Sequence, residues 1–139
     1  MRKGVWVIII FLSILYFLTR LINLTILPIF FDEANYIFWA KRIASANSHW
    51  FLPLAYGKPV PFIWLIVLML KILPSNLYLI AGRLPSVFFG LITLIGIYKL
   101  GKSHFSKSIG LAACLLYILS PFALFYDRLA LYDSIENIS

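Results

Sequence analysis

The sequence predicts an all-α fold of polytopic transmembrane helices, with two juxtamembrane amphipathic helices in the first outer loop. Hydrophobic residues make up 63% of the 139 residues, and only 12% of the residues are charged. The mean hydropathy is +0.96. Soluble domains are nearer half apolar and a quarter charged, so the composition excludes an ordinary cytosolic enzyme, a secreted module and a disordered chain. The net charge of +7 therefore indicates the basic loops of a membrane protein and not a nucleic-acid partner.

Three apolar segments are predicted to cross the bilayer. They are residues 5–27, 79–100 and 109–126, and a spanning helix needs about 20 apolar residues. Arg20 and Arg83 lie near the ends of two of these segments, where a long side chain can extend to the membrane interface. No small-residue cleavage site follows the first segment, so we interpret it as an uncleaved anchor.

Residues 59–73 form a fourth apolar stretch, which is short and has Pro59 and Pro61 at its start. Its length is typical of an interfacial or re-entrant helix. If this stretch does not span, the basic N-terminus and the basic 99–107 loop share one side, as the positive-inside rule requires. The chain is then predicted to be a multi-pass protein of the cell membrane, with a cytoplasmic N-terminus and an external loop over residues 28–78.

The external loop is predicted to contain a helix over residues 32–46. Asp32 is expected as its N-cap and Glu33 in its first turn, where acidic groups are favourable. Apolar residues recur at helical spacing along this segment, which predicts a helix that lies on the membrane with its apolar side down. They are Tyr36, Trp39, Ala40 and Ile43.

Residues 96–103 match the phosphate-binding pattern G-x-x-x-x-G-K-[ST]. That pattern holds phosphate where a strand leads into a tight loop ahead of a helix. Here it follows an apolar segment of membrane-span length, and no acidic residue nearby could help to hold Mg²⁺. We therefore interpret it as a helix end followed by a basic cytoplasmic loop.

Acidic and basic side chains from three separate segments are predicted to meet on the outer face. Asp32 and Glu33 follow the first span, Lys58 begins the second amphipathic segment, and Arg128 with Asp133 follows the third span. An attacking hydroxyl needs a carboxylate, and a leaving phosphate needs cations. Each group also has a structural alternative: a helix cap for the adjacent acids, an interfacial lysine, and a local ion pair after the third span.

Four stretches, in order, resemble motifs of the GT-C glycosyltransferases, which include the protein O-mannosyltransferases and the lipid A aminoarabinose transferases. The first is Phe-Asp-Glu-Ala-Asn-Tyr at 31–36, and the second is Gly-Lys-Pro at 57–59. The third is Ala-Gly-Arg-Leu-Pro-Ser at 81–86, and the last begins Leu-Ser-Pro-Phe at 119 and ends Arg-Leu-Ala-Leu-Tyr-Asp at 133. The resemblance covers nearly the whole chain.

The resemblance implies a membrane enzyme that transfers a sugar from a polyprenyl phosphate carrier to a hydroxyl of a protein, glycan or lipid. Transfer would occur on the non-cytoplasmic side and invert the anomeric carbon. Asp32 would be the catalytic base, and Glu33 would support the acidic site. The donor and its phosphate would be bound by Lys58, Arg128, Asp133 and Tyr36.

Two positions depart from the family pattern. Gly57 stands where the aminoarabinose transferases have a glutamate associated with metal, and Asn35 stands where they have an arginine. A divalent metal therefore stays open as a cofactor. Because family members are several times longer, we interpret residues 1–139 as the N-terminal part of a multi-span enzyme, inactive by itself. The alternative is a non-catalytic membrane scaffold or assembly subunit, or a transporter fragment whose outer acids bind a cation.

Overall fold

The computed structural model describes residues 2–46 and 50–131. Across these ranges the chain forms six α-helices and no strand, which confirms the predicted all-α class. The helices are α1 (Arg2–Leu21), α2 (Phe31–Ala46), α3 (Val60–Ile72), α4 (Tyr78–His104), α5 (Lys107–Leu119) and α6 (Pro121–Asp127). Short 3-10 helices at Leu52–Tyr56 and Ser75–Leu77 precede α3 and α4.

The central element is α4, which packs against each of the other five helices of the described chain. Its 27 residues correspond to about 40 Å of helix, which exceeds the roughly 30 Å of the hydrocarbon core. Within the described ranges, Ser75–His104 is the one helical stretch that is long and apolar enough to span a membrane by itself. The whole 96–103 stretch lies inside α4, so it forms neither a phosphate-binding loop nor the basic loop that was predicted after residue 100, and the helix continues to His104.

The helix of the first apolar segment ends earlier than predicted. The helix α1 stops at Leu21, whereas the hydropathy pattern continues to residue 27. Asn23 has a left-handed backbone with φ of 53°, which a continuing helix does not allow. Carbonyl groups of the non-helical residues after α1 accept hydrogen bonds from two arginines, Arg83 and Arg128. Tertiary contacts therefore compensate for the helical hydrogen bonds that this segment lacks.

The third apolar segment is broken and is not the single continuous helix over 109–126 that was predicted. The helices α5 and α6 meet at Ser120 with a bend of 67°. Pro121 has no N–H group to continue α5 and occupies the first turn of α6, where that group would be unpaired. The Ser120 hydroxyl accepts a hydrogen bond from the Ala123 N–H at 3.4 Å and so caps the new helix. Together the two helices of the bent pair are long and apolar enough to form one span.

The apolar face of α2 packs against protein, which corrects the expectation that this face lies on the membrane. Four of its residues are buried against the first two turns of α3: Tyr36, Trp39, Ala40 and Ile43. The partners on α3 are Phe62, Ile63, Ile66 and Val67. An i, i+3, i+4 pattern predicts a buried stripe but does not identify the surface that buries it.

The helix α3 contains 13 residues, which extend about 20 Å and fall short of the bilayer core. Gly57, which ends the 3-10 helix before α3, has a φ of 66°, a left-handed conformation that suits glycine. Because α2 and α3 pack side by side, the turn at Gly57 brings residue 58 toward the first turn of α2. This arrangement places the candidate site.

Candidate active site

Glu33 forms a completely buried ion pair with Arg83. The Nε and Nη2 atoms of Arg83 each lie 2.7 Å from one carboxylate oxygen of Glu33, and both side chains have 0% exposure. Two parallel N–H···O bonds of this kind are stronger and more directional than a single contact. The pair joins the start of α2 to the start of α4.

Glu33 also accepts two backbone hydrogen bonds. Its Oε2 accepts from the N–H of Phe30 at 3.3 Å, and its Oε1 accepts from the N–H of Ala130 at 3.0 Å. The first contact is that of a third-position glutamate that reaches back to the N-cap of its own helix. The helix therefore begins one residue earlier than predicted, so that Asp32 lies within its first turn and is not the N-cap.

Arg83 does not extend to the membrane interface, which corrects the expectation from its place near the end of a span. Besides Glu33, its guanidinium donates to the carbonyl oxygens of Leu24, Leu27 and Pro28. A guanidinium has five N–H donors in a planar fork, so it can bind a carboxylate and several carbonyls together. Arg83 thereby fixes the segment between α1 and α2 against α4.

Asp32 occupies a different environment from its neighbour. Its side chain is 48% exposed, and its Oδ1 lies 3.2 Å from the Nζ of Lys58, which is 25% exposed. The same Nζ lies 5.4 Å from the ring centre of Tyr36, within the range of a cation–π contact. The structure thus brings together three of the predicted site residues from α2 and from the turn before α3.

The two adjacent carboxylates therefore differ in what they can do. Successive residues of a helix point about 100° apart, so Glu33 faces the core while Asp32 faces the surface. All donors around Glu33 come from the protein, and its oxygens are enclosed. The partly exposed Asp32–Lys58 pair is worth no more than about 1 kcal/mol, so a bound anion can displace the carboxylate from the lysine at small cost.

The described contacts of Arg128 do not include the Asp32–Lys58 pair. Its Nη2 donates to the carbonyl oxygens of Ile22 and Asn23, at the end of α1. Its Nε has no hydrogen-bond partner within the described structure. Burial lowers the pKa of Arg128, and the positive charges of Arg83 and Arg20 lower it further. Asp133, the last predicted site residue, lies outside the described residues.

A second buried ion pair was missed from the sequence. Arg20 has no exposed surface, and its Nε lies 3.3 Å from Oδ2 of Asp127. Asp127 also accepts hydrogen bonds from the hydroxyls of Tyr16 and Tyr117. The prediction that Arg20 extends to the membrane interface is therefore wrong. Charged residues in apolar helices commonly pair with one another, and this tendency is the indication that the sequence offered.

The described residues of the site do not fit a divalent metal. No group of three or more His, Cys, Asp or Glu side chains lies together in the part of the chain that the structure describes. Gly57 supplies no ligand, the oxygens of Glu33 are engaged, and the ammonium of Lys58 lies against the carboxylate of Asp32. Mg²⁺ and Ca²⁺ require several oxygen ligands, and the described side chains at this site do not supply such a set.

Comparison with known protein families identifies the class. Residues 57–135 match the family model described as dolichyl-phosphate-mannose-protein mannosyltransferase. The match covers more than half of the chain, and the chain belongs to this family of membrane glycosyltransferases. The predicted resemblance to the GT-C glycosyltransferases is thereby confirmed. No curated protein and no solved structure matches the chain.

The matched range contains Lys58, Arg83 and Arg128 and ends beyond Asp133, but it begins after α2. Asp32 and Glu33 therefore lie outside the matched range, but each forms an ion pair with a residue inside it. Asp32 pairs with Lys58, and Glu33 pairs with Arg83. The family supplies the class of reaction, a mannosyltransferase-type transfer from a lipid-linked sugar, and the geometry supplies the candidate roles.

Proposed function

We propose that the chain contains the acidic site of an enzyme that transfers a sugar from a polyprenyl phosphate to an acceptor hydroxyl with inversion. The acceptor is a protein, a glycan or a lipid on the non-cytoplasmic side of the membrane. The observation that carries this proposal is the contact between the Asp32 carboxylate and the Lys58 ammonium at 3.2 Å. A base and a phosphate-binding cation are thereby side by side and partly exposed.

In the proposed reaction, the donor phosphate binds Lys58 and displaces the carboxylate of Asp32. The freed carboxylate accepts the proton of the acceptor hydroxyl as its oxygen attacks the anomeric carbon. The bond from that carbon to the phosphate oxygen breaks, and its electron pair leaves with the polyprenyl phosphate. Lys58 stabilises the negative charge that develops on the leaving oxygen.

The other predicted residues take supporting roles in this proposal. Glu33 holds Asp32 in place through its buried pair with Arg83. Tyr36 lies beside the Lys58 ammonium, and Arg128 would contact the donor from the segment after α6. Asp133 would border the donor site.

We further propose that the chain is the N-terminal part of a multi-pass protein of the cell membrane. The apolar helices and the family support membrane residence. The N-terminus and the basic turn between α4 and α5 would be cytoplasmic, because Arg2, Lys3, Lys99, Lys102 and Lys107 then obey the positive-inside rule. The Asp32–Lys58 pair would lie on the external face.

The first experiment compares Asp32→Asn with wild type in sugar transfer from a polyprenyl-phosphate mannose donor by the full-length protein in membranes. Loss of the base is expected to lower the turnover rate by about 10²–10⁴-fold. Lys58→Gln is expected to raise the donor KM as well, since it removes a phosphate contact. Near-normal transfer by Asp32→Asn would contradict the assignment of the base.

Arg42→Gln is the matched control. Arg42 is an exposed residue of α2, well away from the first turn, and its guanidinium contacts the ring of Trp39. The variant changes the charge of the same helix by the same amount in magnitude and is expected to keep normal transfer. The free energy of unfolding of Asp32→Asn should stay within about 1 kcal/mol of wild type, because its ion pair is partly exposed.

A further inference from the structure

A cavity lies between α1, α4 and α5. Its volume is about 370 Å³, which lies within the range of small-molecule binding sites. Apolar side chains from all three helices form most of its wall, among them Leu12, Leu94 and Leu111. Two lysines of α4, Lys99 and Lys102, line it as well, and both are exposed.

The cavity is distant from the Asp32–Lys58 pair. Arg83, which pairs with Glu33 beside that site, lies about 24 Å from Lys99 along α4. In the proposed orientation the two sites therefore face opposite sides of the bilayer. No residue that lines the cavity takes part in the proposed transfer reaction.

The electrostatics of this end favour an anion. Lys99 and Lys102 are three residues apart on one helix, so their ammonium groups share a face. His104 at the end of α4 and Lys107 at the start of α5 add further basic groups, and residues 99–107 contain no acid. None of the described carboxylates, at Asp32, Glu33 and Asp127, lines the cavity.

Two polar groups in the apolar wall, the Ser13 hydroxyl and the Cys114 thiol, already have hydrogen-bond partners. The hydroxyl of Ser13 donates to the Ile9 carbonyl at 3.0 Å, and the thiol of Cys114 donates to the Leu94 carbonyl at 3.5 Å. The backbone amides of residues 96–103 belong to α4 and are not free to hold a phosphate. An anion at this end must therefore be bound by the lysine side chains, and its apolar part by the wall.

We propose that this cavity binds an anionic phospholipid, with an acyl chain against the apolar wall and the headgroup phosphate held by Lys99 and Lys102. Basic pockets between transmembrane helices on the cytoplasmic side bind anionic headgroups in this way, and that leaflet carries the anionic lipids. A water-soluble anion would leave the apolar wall exposed, and an uncharged lipid would leave the two lysines unpaired. The site is independent of the proposed transfer reaction.

The test uses the full-length protein, purified in detergent and titrated with phosphatidylglycerol or with phosphatidylcholine of the same acyl chains. Bound lipid is counted by native mass spectrometry. Each lysine near an anionic headgroup contributes a factor of about five in affinity. The double variant Lys99→Gln/Lys102→Gln is therefore expected to bind phosphatidylglycerol about thirtyfold more weakly. Its phosphatidylcholine binding is expected to stay the same.

The matched control is Lys41→Gln/Lys71→Gln, which removes the same charge from two exposed lysines outside the cavity and away from its basic end. It is expected to keep the preference for phosphatidylglycerol. An equal loss in this control would mean a general attraction to charge and would overturn the site. Equal binding of the two lipids by wild type would overturn it as well.

A photoreactive phosphatidylglycerol, with the reactive group on its acyl chain, tests the location of the lipid. Crosslinks are expected on α1 near Leu12 and on α4 between Leu94 and Lys102. Leu111→Trp, which fills the cavity but retains both lysines, should lower these crosslinks if its unfolding temperature matches wild type. Crosslinks only at other surfaces would overturn the proposal. So would protein–protein crosslinks showing that another polypeptide segment or a second copy fills the cavity.

Discussion

The guanidinium of Arg83 and the carboxylate of Glu33 are joined by two hydrogen bonds of 2.7 Å, and neither side chain is exposed. Through Arg83 the pair holds the segment after α1, and through Glu33 it holds the segment after α6 at Ala130. It therefore fixes four parts of the chain relative to one another. The adjacent Asp32 is left at the surface beside Lys58.

Arg83→Met is expected to destabilise the protein by about 3–5 kcal/mol, because it leaves the charge of Glu33 buried without its partner. Denaturant unfolding in detergent measures the change. Arg83→Met/Glu33→Gln, which also removes the buried charge, is expected to recover part of the loss. Arg42→Met, at an exposed position of α2, should change stability by about 0.5 kcal/mol or less. An unfolding midpoint for Arg83→Met equal to that of wild type would show that the pair contributes little.

Tyr117→Phe is expected to lower the free energy of unfolding by about 1.5–3 kcal/mol. The Tyr117 hydroxyl lies 3.1 Å from each oxygen of the buried Asp127 carboxylate and donates its one hydrogen to that group. Tyr56→Phe is the control, since Tyr56 is exposed and lies outside this cluster. Thermal unfolding of both variants in one detergent provides the comparison. Similar melting temperatures for the two variants would contradict a stabilising role for the Asp127 cluster.

Two glycines of α4 should respond to alanine with opposite signs. A Cβ atom at Gly90 would lie 2.6 Å from Cγ of Asp127 and would also overlap the hydroxyl of Tyr16. Such overpacking costs about 1–3 kcal/mol. A Cβ atom at Gly96 meets nothing within 4 Å, so Gly96→Ala should stabilise the helix by about 0.5–1 kcal/mol. The denaturant midpoints of the two variants measure these changes. A higher midpoint for Gly90→Ala than for wild type would contradict the predicted overpacking.

The proposed topology can be measured with single cysteines in a Cys114→Ala background, which removes the one native cysteine. Ser75 and Ser103 are exposed and lie at opposite ends of the α4 stretch. In intact cells, an impermeant maleimide should label Ser75→Cys and should reach Ser103→Cys only after lysis. The reverse pattern would place α3 across the membrane, and labelling of both in intact cells would show that α4 does not span.

Much of the site could be predicted from the sequence because its residues lie in short, recognisable stretches. The stretch at 31–36 contains the carboxylates, and the stretch at 57–59 contains the lysine. The structure brings Asp32, Lys58 and Tyr36 together as those stretches predicted. The roles of Arg128 and Asp133 stay predictions, since the described contacts of Arg128 lie at the end of α1 and Asp133 lies outside the described residues.

The sequence did not predict where the helices end or that Arg20 and Arg83 form buried ion pairs. The apolar pattern of the first segment continues to residue 27, but the helix ends earlier, and Arg83 binds the carbonyl of Leu24 after it. The apolar pattern of the third segment continues through Ser120, but Pro121 begins a new helix there. A long basic side chain near the end of a span can either extend to the interface or pair inside. Its partner lies far away in the chain: Asp127 for Arg20, and Glu33 for Arg83.

Composition and periodicity by themselves determined that this protein is all-helical and apolar, and the local motifs predicted which acids and cations would lie close together. Only the tertiary structure decided which of two adjacent carboxylates is available. The physical reason is the phase of α2: once Tyr36 and Ile43 pack against α3, Glu33 must face α4 and meet Arg83. Asp32, about 100° away around the same helix, must then face the surface and Lys58.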